Sequence, residues 1–190
     1  MNPGLDGRVA IVGGSSTGLG FSVAASLAAE GARVLIVSRT AEKVSAAVDT
    51  ILEHGGGTAE GCVADFTDPE APRRVVETAK QVFGQPEIVV ANGGGPPGMP
   101  AVSASADDLS SACELLLLPV QRLAELTLPA MRSAGWGRFV AITSIAVRQP
   151  QPGLVLSNAL RAAVTGYLKS VSDEVAGDGV TVNTVCPGYT

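Results

Sequence analysis

Six short apolar runs separated by helix-length segments constrain the fold of this chain most strongly. The predicted strands are Arg8–Val12, Arg33–Val37, Thr58–Val63, Glu87–Ala91, Gly137–Thr143 and Val180–Val185. The predicted helices are residues 18–30, 41–54, 68–83, 107–133 and 158–176, with Pro69 in the first turn of the third helix. Strands that are apolar throughout are typical of a parallel sheet buried on both faces. Because parallel strands need right-handed crossover connections, the sequence predicts an α/β fold, a doubly wound parallel sheet of the Rossmann type. It forms one domain over residues 1–190.

A glycine-rich turn joins the first strand to the first helix. Its sequence is Gly14-Ser15-Ser16-Thr17-Gly18-Leu19-Gly20. Gly14 permits the sharp turn, Gly18 lets the backbone approach a pyrophosphate, and Gly20 lets the helix pack close to the strand. The helix N-terminus offers unpaired N–H groups and a partial positive charge to phosphates. The turn therefore predicts a dinucleotide site.

Composition excludes several other classes of function. Of 190 residues, 46% are apolar and 16% charged, and the net charge of −5 argues against a nucleic-acid or anionic-membrane partner. Three scattered cysteines and one histidine cannot provide a zinc spacing, so we expect no metal. No apolar stretch is long enough to span a bilayer, and residues 1–7 lack the pattern of a signal peptide. We expect a reduced, cytoplasmic protein.

The end of the chain is unusual for such a sheet. Residues 187–190 follow the sixth strand directly, with no helix to cover its outer face. We expect that a C-terminal part, with a further strand and the substrate loop, is missing from this sequence.

Further motifs follow the glycine turn in a characteristic order. Ala91-Asn92-Gly93-Gly94 follows the fourth strand, Asp65 and Phe66 follow the third, Ser144 follows the fifth, and Pro187-Gly188 follows the sixth. Together with the Gly-x-x-x-Gly-x-Gly spacing, these motifs resemble the short-chain dehydrogenase/reductase family over the whole chain. The resemblance implies that Asp65 accepts a hydrogen bond from the adenine amino group and that Pro187-Gly188 lies beside the nicotinamide. It also implies a homodimer or homotetramer.

The residues after the second strand indicate which cofactor is bound. An acidic residue there would bind the ribose hydroxyls and repel a 2′-phosphate, but this chain has Val37-Ser38-Arg39-Thr40. A guanidinium can pair with the 2′-phosphate. NADP(H) is therefore favoured over NAD(H), although no second basic residue lies in the glycine turn and Arg39 could instead be a solvated side chain.

The positions of the family's catalytic residues are largely altered. The resemblance implies a Tyr-x-x-x-Lys pair beginning 13 residues beyond the serine, and these positions hold Ser157 and Arg161. The position of the family's asparagine holds Leu116, so of the four residues Ser144 alone matches. A serine hydroxyl is too weak an acid to replace tyrosine as a proton donor. Arg161 is always charged and can still donate to the ribose hydroxyls.

Three other residues are candidates for the missing acid or for binding the carbonyl group. Tyr167 lies ten residues beyond Ser157 and should face elsewhere on the helix, where it would belong to the core. Tyr189 follows Pro187-Gly188 and could substitute as an acid or be a packing residue. Arg148 could polarise a carbonyl or bind an acidic substrate, or be a solvated loop cation.

Two hypotheses about function follow. In the first, the chain transfers a hydride between NADP(H) and a small carbonyl or secondary alcohol, with 3-oxoacyl-carrier-protein reductases as the relatives it resembles most. Correct positioning of reactants can contribute more to the rate than acid–base catalysis, so the missing tyrosine need not abolish turnover. In the second, the chain binds a nucleotide without chemistry, as a sensor or partner subunit.

Overall fold

The structure is a computed structural model that describes residues 4–55 and 57–188. Strands and helices alternate along most of these residues. The strands are β1 (Val9–Gly13), β2 (Arg33–Ser38), β3 (Thr58–Val63), β4 (Ile88–Ala91), β5 (Gly137–Ile142) and β6 (Val180–Val185). The helices are α1 (Gly18–Ala29), α2 (Ala41–Gly55), α3 (Ala71–Val82), α4 (Ala106–Leu116), α5 (Leu118–Ser133) and α6 (Val155–Val175).

All six strands belong to one parallel sheet. Their order is β3-β2-β1-β4-β5-β6, so the chain runs outward from β1 in one direction and then from β4 in the other. Ala10 of β1 pairs with Ile88 of β4, and Val12 with Val90. The crevice at the carboxyl ends of these two strands is the topological switch point, where open α/β sheets bind their ligands. This confirms the predicted doubly wound sheet.

The central strands β1 and β4 are apolar and buried throughout because helices cover both faces of the sheet, whereas the edge strands β3 and β6 also carry polar residues. Val9 and Ile11 pack into a cluster with the helices α3, α5 and α6. Ala10 and Val12, which point the opposite way, pack into a second cluster with α1 and α2. Each of these four side chains is at most 2% exposed. Since successive strand residues face opposite sides, both alternating sets must be apolar.

The segment that was predicted as one helix over residues 107–133 forms two helices, so that prediction is wrong. The break lies at Leu117, between α4 and α5. Pro119 stands in the first turn of α5. Because proline has no backbone N–H, it cannot continue the hydrogen bonding of α4, whereas it is well tolerated at a helix start.

Two other helix starts differ from the prediction. The third helix begins at Ala71 rather than at residue 68, and the proline in its first turn is Pro72, not Pro69. The last helix begins at Val155 rather than at residue 158. This earlier start places Ser157 and Arg161 on successive turns of α6. Within the described ranges, no helix is long and apolar enough to cross a membrane.

Candidate cofactor and active site

The turn between β1 and α1 is held rigidly against β2. Ser15 is fully buried, its hydroxyl donates to the carbonyl of Val12 at 2.6 Å, and it accepts from the N–H of Val37 at 3.0 Å. Gly14 and Gly18 have φ of +55° and +59°. A Cβ at Gly18 would meet no atom within 4 Å, whereas a Cβ at Gly20 would collide with the Gly14 carbonyl. The turn thus has open space where a phosphate would approach and close packing where the helix meets the strand.

The N-terminus of α1 is free to interact with an anion. Its N-cap residue Thr17 makes no side-chain capping bond, and the first turn holds no acidic residue. Leu19, in that first turn, is 45% exposed. The positive end of the helix dipole is therefore not neutralised by α1 itself. In contrast, Ser105 and Asp108 close a capping box on α4.

Asn92 connects the ends of β1 and β4. Its side-chain amide donates to the carbonyl oxygens of Gly13 at 3.1 Å and Gly14 at 3.4 Å. A Cβ on Gly14 would lie 2.9 Å from this amide. Asn92 and Gly93 both line the cavity beside the turn. Asn92, in the motif that follows β4, therefore bonds across the switch point and holds the glycine turn in its conformation.

Two basic side chains that follow β2 line the same cavity. Arg39 and Lys43 both line it, beside Ser16, whose hydroxyl donates to that of Ser38 at 2.9 Å. Sequence reasoning found Arg39 but missed Lys43, which lies on the first turn of α2 instead of in the glycine turn. The signal that could have found it is its place in the first turn of the predicted helix 41–54, which begins just beyond Arg39 and the end of β2.

Asp65 and Phe66 form the side of the cavity that follows β3. One carboxylate oxygen of Asp65 accepts from the N–H of Thr67 at 3.0 Å and from its hydroxyl at 2.9 Å. These bonds fix the carboxylate at the cavity wall and leave its second oxygen for another donor. A Cβ on Gly13 would lie 3.0 Å from the ring of Phe66, so the ring packs close to the start of the glycine turn. Both residues line the cavity.

Arg161 closes the opposite end of the cavity. Its Nε donates to the Ser157 hydroxyl at 3.1 Å, and Nη1 donates to the carbonyls of Ile142 at 3.1 Å and Thr143 at 3.2 Å. Nη2 donates to the carbonyl of Gly94 at 3.3 Å. Burial lowers the pKa of Arg161 from its ordinary value, but a guanidinium stays charged. Four of its five N–H donors are thus engaged, and three of them join α6 to residues at or just beyond the ends of β4 and β5.

Ser144 lies directly beyond this cluster. It caps a short helical turn over residues 145–147, and its hydroxyl accepts from the N–H of Ala146 at 3.1 Å. The carbonyl of Pro187 accepts from the N–H of Ile145 at 3.0 Å, which brings the Pro187-Gly188 segment to the same edge of the sheet. Gly188 has open space where a side chain would stand.

The other sequence candidates have different surroundings. Leu116 is 7% exposed and contributes to an apolar wall of the cavity. Tyr167 packs against the core; burial, with the nearby charges of Glu125 and Glu174, raises its pKa. A raised pKa makes this phenol a poorer acid near neutral pH. Tyr189 lies outside the described residues, and Arg148 is an exposed residue at the end of the 145–147 turn.

These elements surround one elongated cavity of about 420 Å³. It runs along the carboxyl ends of the strands, from Arg39 and Asp65 at one end to Thr143 and Arg161 at the other. In the described parts of the chain, no group of three or more acidic, histidine or cysteine side chains could hold a metal ion. The cavity has the shape and the phosphate-binding turn of a dinucleotide site.

The family model of the short chain dehydrogenases matches residues 8–190. The chain therefore belongs to the short-chain dehydrogenase/reductase family. Among curated proteins, it is 32% identical over 184 residues to 3-oxoacyl-[acyl-carrier-protein] reductase FabG of Escherichia coli (strain K12), covering 97% of this chain and 74% of that protein.

Solved structures of similar proteins agree with this assignment. L-sorbose reductase from Gluconobacter frateurii, complexed with NADPH and L-sorbose, has a TM-score of 0.94 and 31% identity, covering all of this chain and 72% of that one. A 3-oxoacyl (acyl-carrier-protein) reductase from Agrobacterium tumefaciens C58 with NADP bound has a TM-score of 0.92 and 30% identity, covering 97% and 71%. Both neighbours were solved with the cofactor that the residues after β2 predict.

Proposed function

We propose that this chain is an oxidoreductase that uses NADP(H) to transfer a hydride between the cofactor and a carbonyl or secondary alcohol, with 3-oxoacyl compounds as the candidate substrates. The observation that carries the proposal is the cavity that extends from the glycine turn to Arg161 and to Thr143, the residue that precedes Ser144. The uncapped N-terminus of α1 and the open space at Gly18 fit a diphosphate. The names of the similar reductases support the same reaction class.

The chain's own residues would divide the work along the cavity. The backbone of the glycine turn would bind the diphosphate, Arg39 and Lys43 the 2′-phosphate, and Asp65 the adenine. Arg161 would orient the ribose next to the reacting ring with its remaining N–H. NADPH, when bound, supplies the hydride.

The choice of NADP(H) over NAD(H) is tested with Arg39→Ala and Lys43→Ala. Because a charge-assisted bond to phosphate contributes roughly 1.5–3 kcal/mol, we expect each variant to bind NADPH about 10- to 100-fold more weakly. NADH affinity should change by less than about threefold. Arg73→Ala, which removes an exposed arginine on α3, is the control for net charge. Equal losses for NADPH and NADH would contradict a 2′-phosphate site.

A second candidate function is nucleotide binding without turnover or with very weak turnover, as in a sensor or partner subunit. Two observations favour this function. The family's tyrosine, lysine and asparagine are replaced in this chain, and four N–H groups of Arg161 donate to other residues of the protein, which leaves one for a ligand. NADPH consumption with a panel of carbonyl compounds, compared with Ser144→Ala, separates the two functions. Intact NADPH binding with no turnover above that of the variant would refute the enzyme and favour the sensor.

Self-association and a cytoplasmic location complete the proposal, because the family resemblance implies the first and the three free cysteines fit the reducing conditions of the second. Leu115 and Leu116 of α4 pack with the α4–α6 core cluster and line the cavity, so their apolar side chains are explained without a subunit interface. Sedimentation equilibrium should give two or four times the chain mass. A purely monomeric species at micromolar concentration would contradict this part of the proposal.

A further inference from the structure

We propose that a second cavity, at the amino ends of the strands, binds a small carboxylic acid with an apolar body. This amino-edge cavity has a volume of about 250 Å³, and its walls include Val9, Arg33, Phe83, Glu87, Met131 and Trp136. Val9 begins β1 and Gly13 ends it, so about 13 Å of strand separates the amino-edge cavity from the glycine turn. The inference therefore stands apart from the proposed function.

Three neighbouring strands set a cation, an apolar side chain and an anion in one row. Val9 of β1 pairs with Arg33 of β2. On its other side, the carbonyl of Val9 accepts from the N–H of Glu87 at 2.9 Å. Because neighbouring strands lie about 4.8 Å apart, the backbones of Arg33 and Glu87 are about 10 Å apart. Phe83 and Met131, at the ends of α3 and α5, form the facing wall, so the middle of the cavity is apolar.

Arg33 has donors that its own contacts leave unused. Its Nε and Nη2 both donate to the carbonyl of Gly7, at 3.0 and 2.8 Å. These two N–H groups lie along one edge of the planar guanidinium, which has five N–H groups in all. The end formed by Nη1 and Nη2 therefore keeps a parallel pair of N–H groups, which matches the two oxygens of a carboxylate. Since the carbonyl of Gly7 is neutral, it leaves the charge of Arg33 uncompensated.

The negative charge of Glu87 is compensated within the protein. One of its carboxylate oxygens pairs with the guanidinium of Arg8, and the other accepts from the N–H of Val9 at 3.3 Å. Arg33 and Glu87 are the two charged residues that line this cavity in the part of the chain that the structure describes. With Glu87 compensated, the cavity attracts an anion through Arg33.

Trp136 turns its rim toward the cavity. The guanidinium carbons of Arg8 and Arg138 lie 4.0 and 4.4 Å from the centre of its ring. Two planar groups this close to the centre cannot share one face, so the ring lies between them. Its rim, which includes the indole N–H, is therefore the part that lines the cavity. The rim of an aromatic ring carries partial positive charge, so it also favours an electron-rich ligand.

The test uses benzoate, which joins a carboxylate to a flat apolar ring. The chain has one tryptophan, so its indole N–H gives one resonance in a ¹⁵N–¹H spectrum of the full chain, and this resonance reports on the cavity. We expect benzoate to shift it in a saturable way. Benzamide, which has the same shape without the charge, should bind about tenfold more weakly or worse, and the cation benzylamine should give no saturable shift.

Two variants test the walls of the cavity. Arg33→Gln removes the charged fork and should weaken benzoate binding about tenfold or more, whereas Arg73→Gln, which removes an exposed arginine on α3, should leave it unchanged. Ala134→Leu adds a larger side chain at the exposed end of α5, where Ala134 lines the cavity, and should abolish the saturable shift. Because this position is exposed, we expect Ala134→Leu to melt like wild type even if Arg33→Gln does not.

The outcomes of this titration are independent of NADPH binding and turnover. No saturable shift in wild type, or equal affinities for benzoate and benzamide, would overturn the carboxylate site. Wild-type benzoate affinity in Ala134→Leu would overturn the location of the site, and wild-type affinity in Arg33→Gln would overturn the role of Arg33. Loss of binding in both variants, with Arg73→Gln unchanged, would establish the site whatever the activity of the chain.

Discussion

Replacing Gly18 by alanine tests the phosphate-binding turn most sharply. Gly18 has φ of +59°, and its Cβ position faces open space, so the methyl group meets no protein atom. A non-glycine residue in this conformation costs roughly 1–2 kcal/mol. For a chain of this size, that lowers the melting temperature by about 2–8 °C. The methyl group also occupies the space through which a phosphate reaches the backbone N–H groups.

The expected loss of affinity follows from one such bond. A hydrogen bond between a backbone N–H and a charged phosphate contributes roughly 1.5–3 kcal/mol. At about 1.4 kcal/mol per factor of ten, Gly18→Ala should raise the Kd for NADPH about 10- to 150-fold. The assay is a fluorescence titration with NADPH at 25 °C, together with thermal unfolding followed by circular dichroism.

Gly135→Ala is a matched control for the strain. Gly135 has φ of +66°, has open space at its Cβ position, and lies just before β5, at the sheet edge opposite the cavity. We expect it to lose a similar amount of thermal stability while binding NADPH like wild type. If Gly18→Ala binds NADPH within about twofold of this control, the assignment of the turn as the diphosphate site is wrong.

Further predictions concern stability and thiol reactivity. Ser105→Ala removes the N-cap of α4 and should lower the free energy of unfolding by about 1 kcal/mol, as measured by chemical denaturation. Ser110→Ala, within the same helix, should leave this free energy unchanged or raise it slightly. Equal effects of the two variants would contradict the capping box. Hydrogen bonds from Ser105 lower the pKa of the Asp108 carboxyl. The stabilisation that these bonds provide is therefore complete above the pKa of Asp108 in the unfolded chain, and it is lost as the pH falls through the pKa in the folded chain. A destabilisation by Ser105→Ala that does not shrink in acid would refute this coupling. Burial raises the pKa of Cys62, so iodoacetamide at pH 8 should alkylate the exposed Cys186 first, as read by peptide mass spectrometry, and the reverse order would contradict the described burial.

The sheet and the glycine turn were predictable because local sequence determines both. Apolar runs buried on two faces can hardly form anything but central parallel strands. The edge strands β3 and β6 also begin and end at the predicted residues, although they contain polar residues. The break at Leu117 was not predictable from apolar periodicity, because the same apolar spacing continues from α4 into α5. Pro119 was the available signal, since proline prefers the first turn of a helix.

The site was only partly predictable, because several of its contacts join residues distant in sequence. Sequence position identified Ser157 and Arg161 as replacements for the family's pair. It could not show that Arg161 binds the carbonyls of Gly94 and Thr143, because these bonds depend on where β4 and β5 end relative to α6. Lys43 was missed for a similar reason, since its place in the cavity depends on how α2 packs against the sheet.

A crystal structure of the full chain with NADPH tests the central claim most directly, which is that one cavity holds the whole cofactor. The account predicts the diphosphate on the N–H groups of residues 14–20, the 2′-phosphate at Arg39 and Lys43, and the nicotinamide ring beside Thr143 and Arg161. A cofactor bound elsewhere, or a nicotinamide end excluded by the Arg161 side chain, would contradict it.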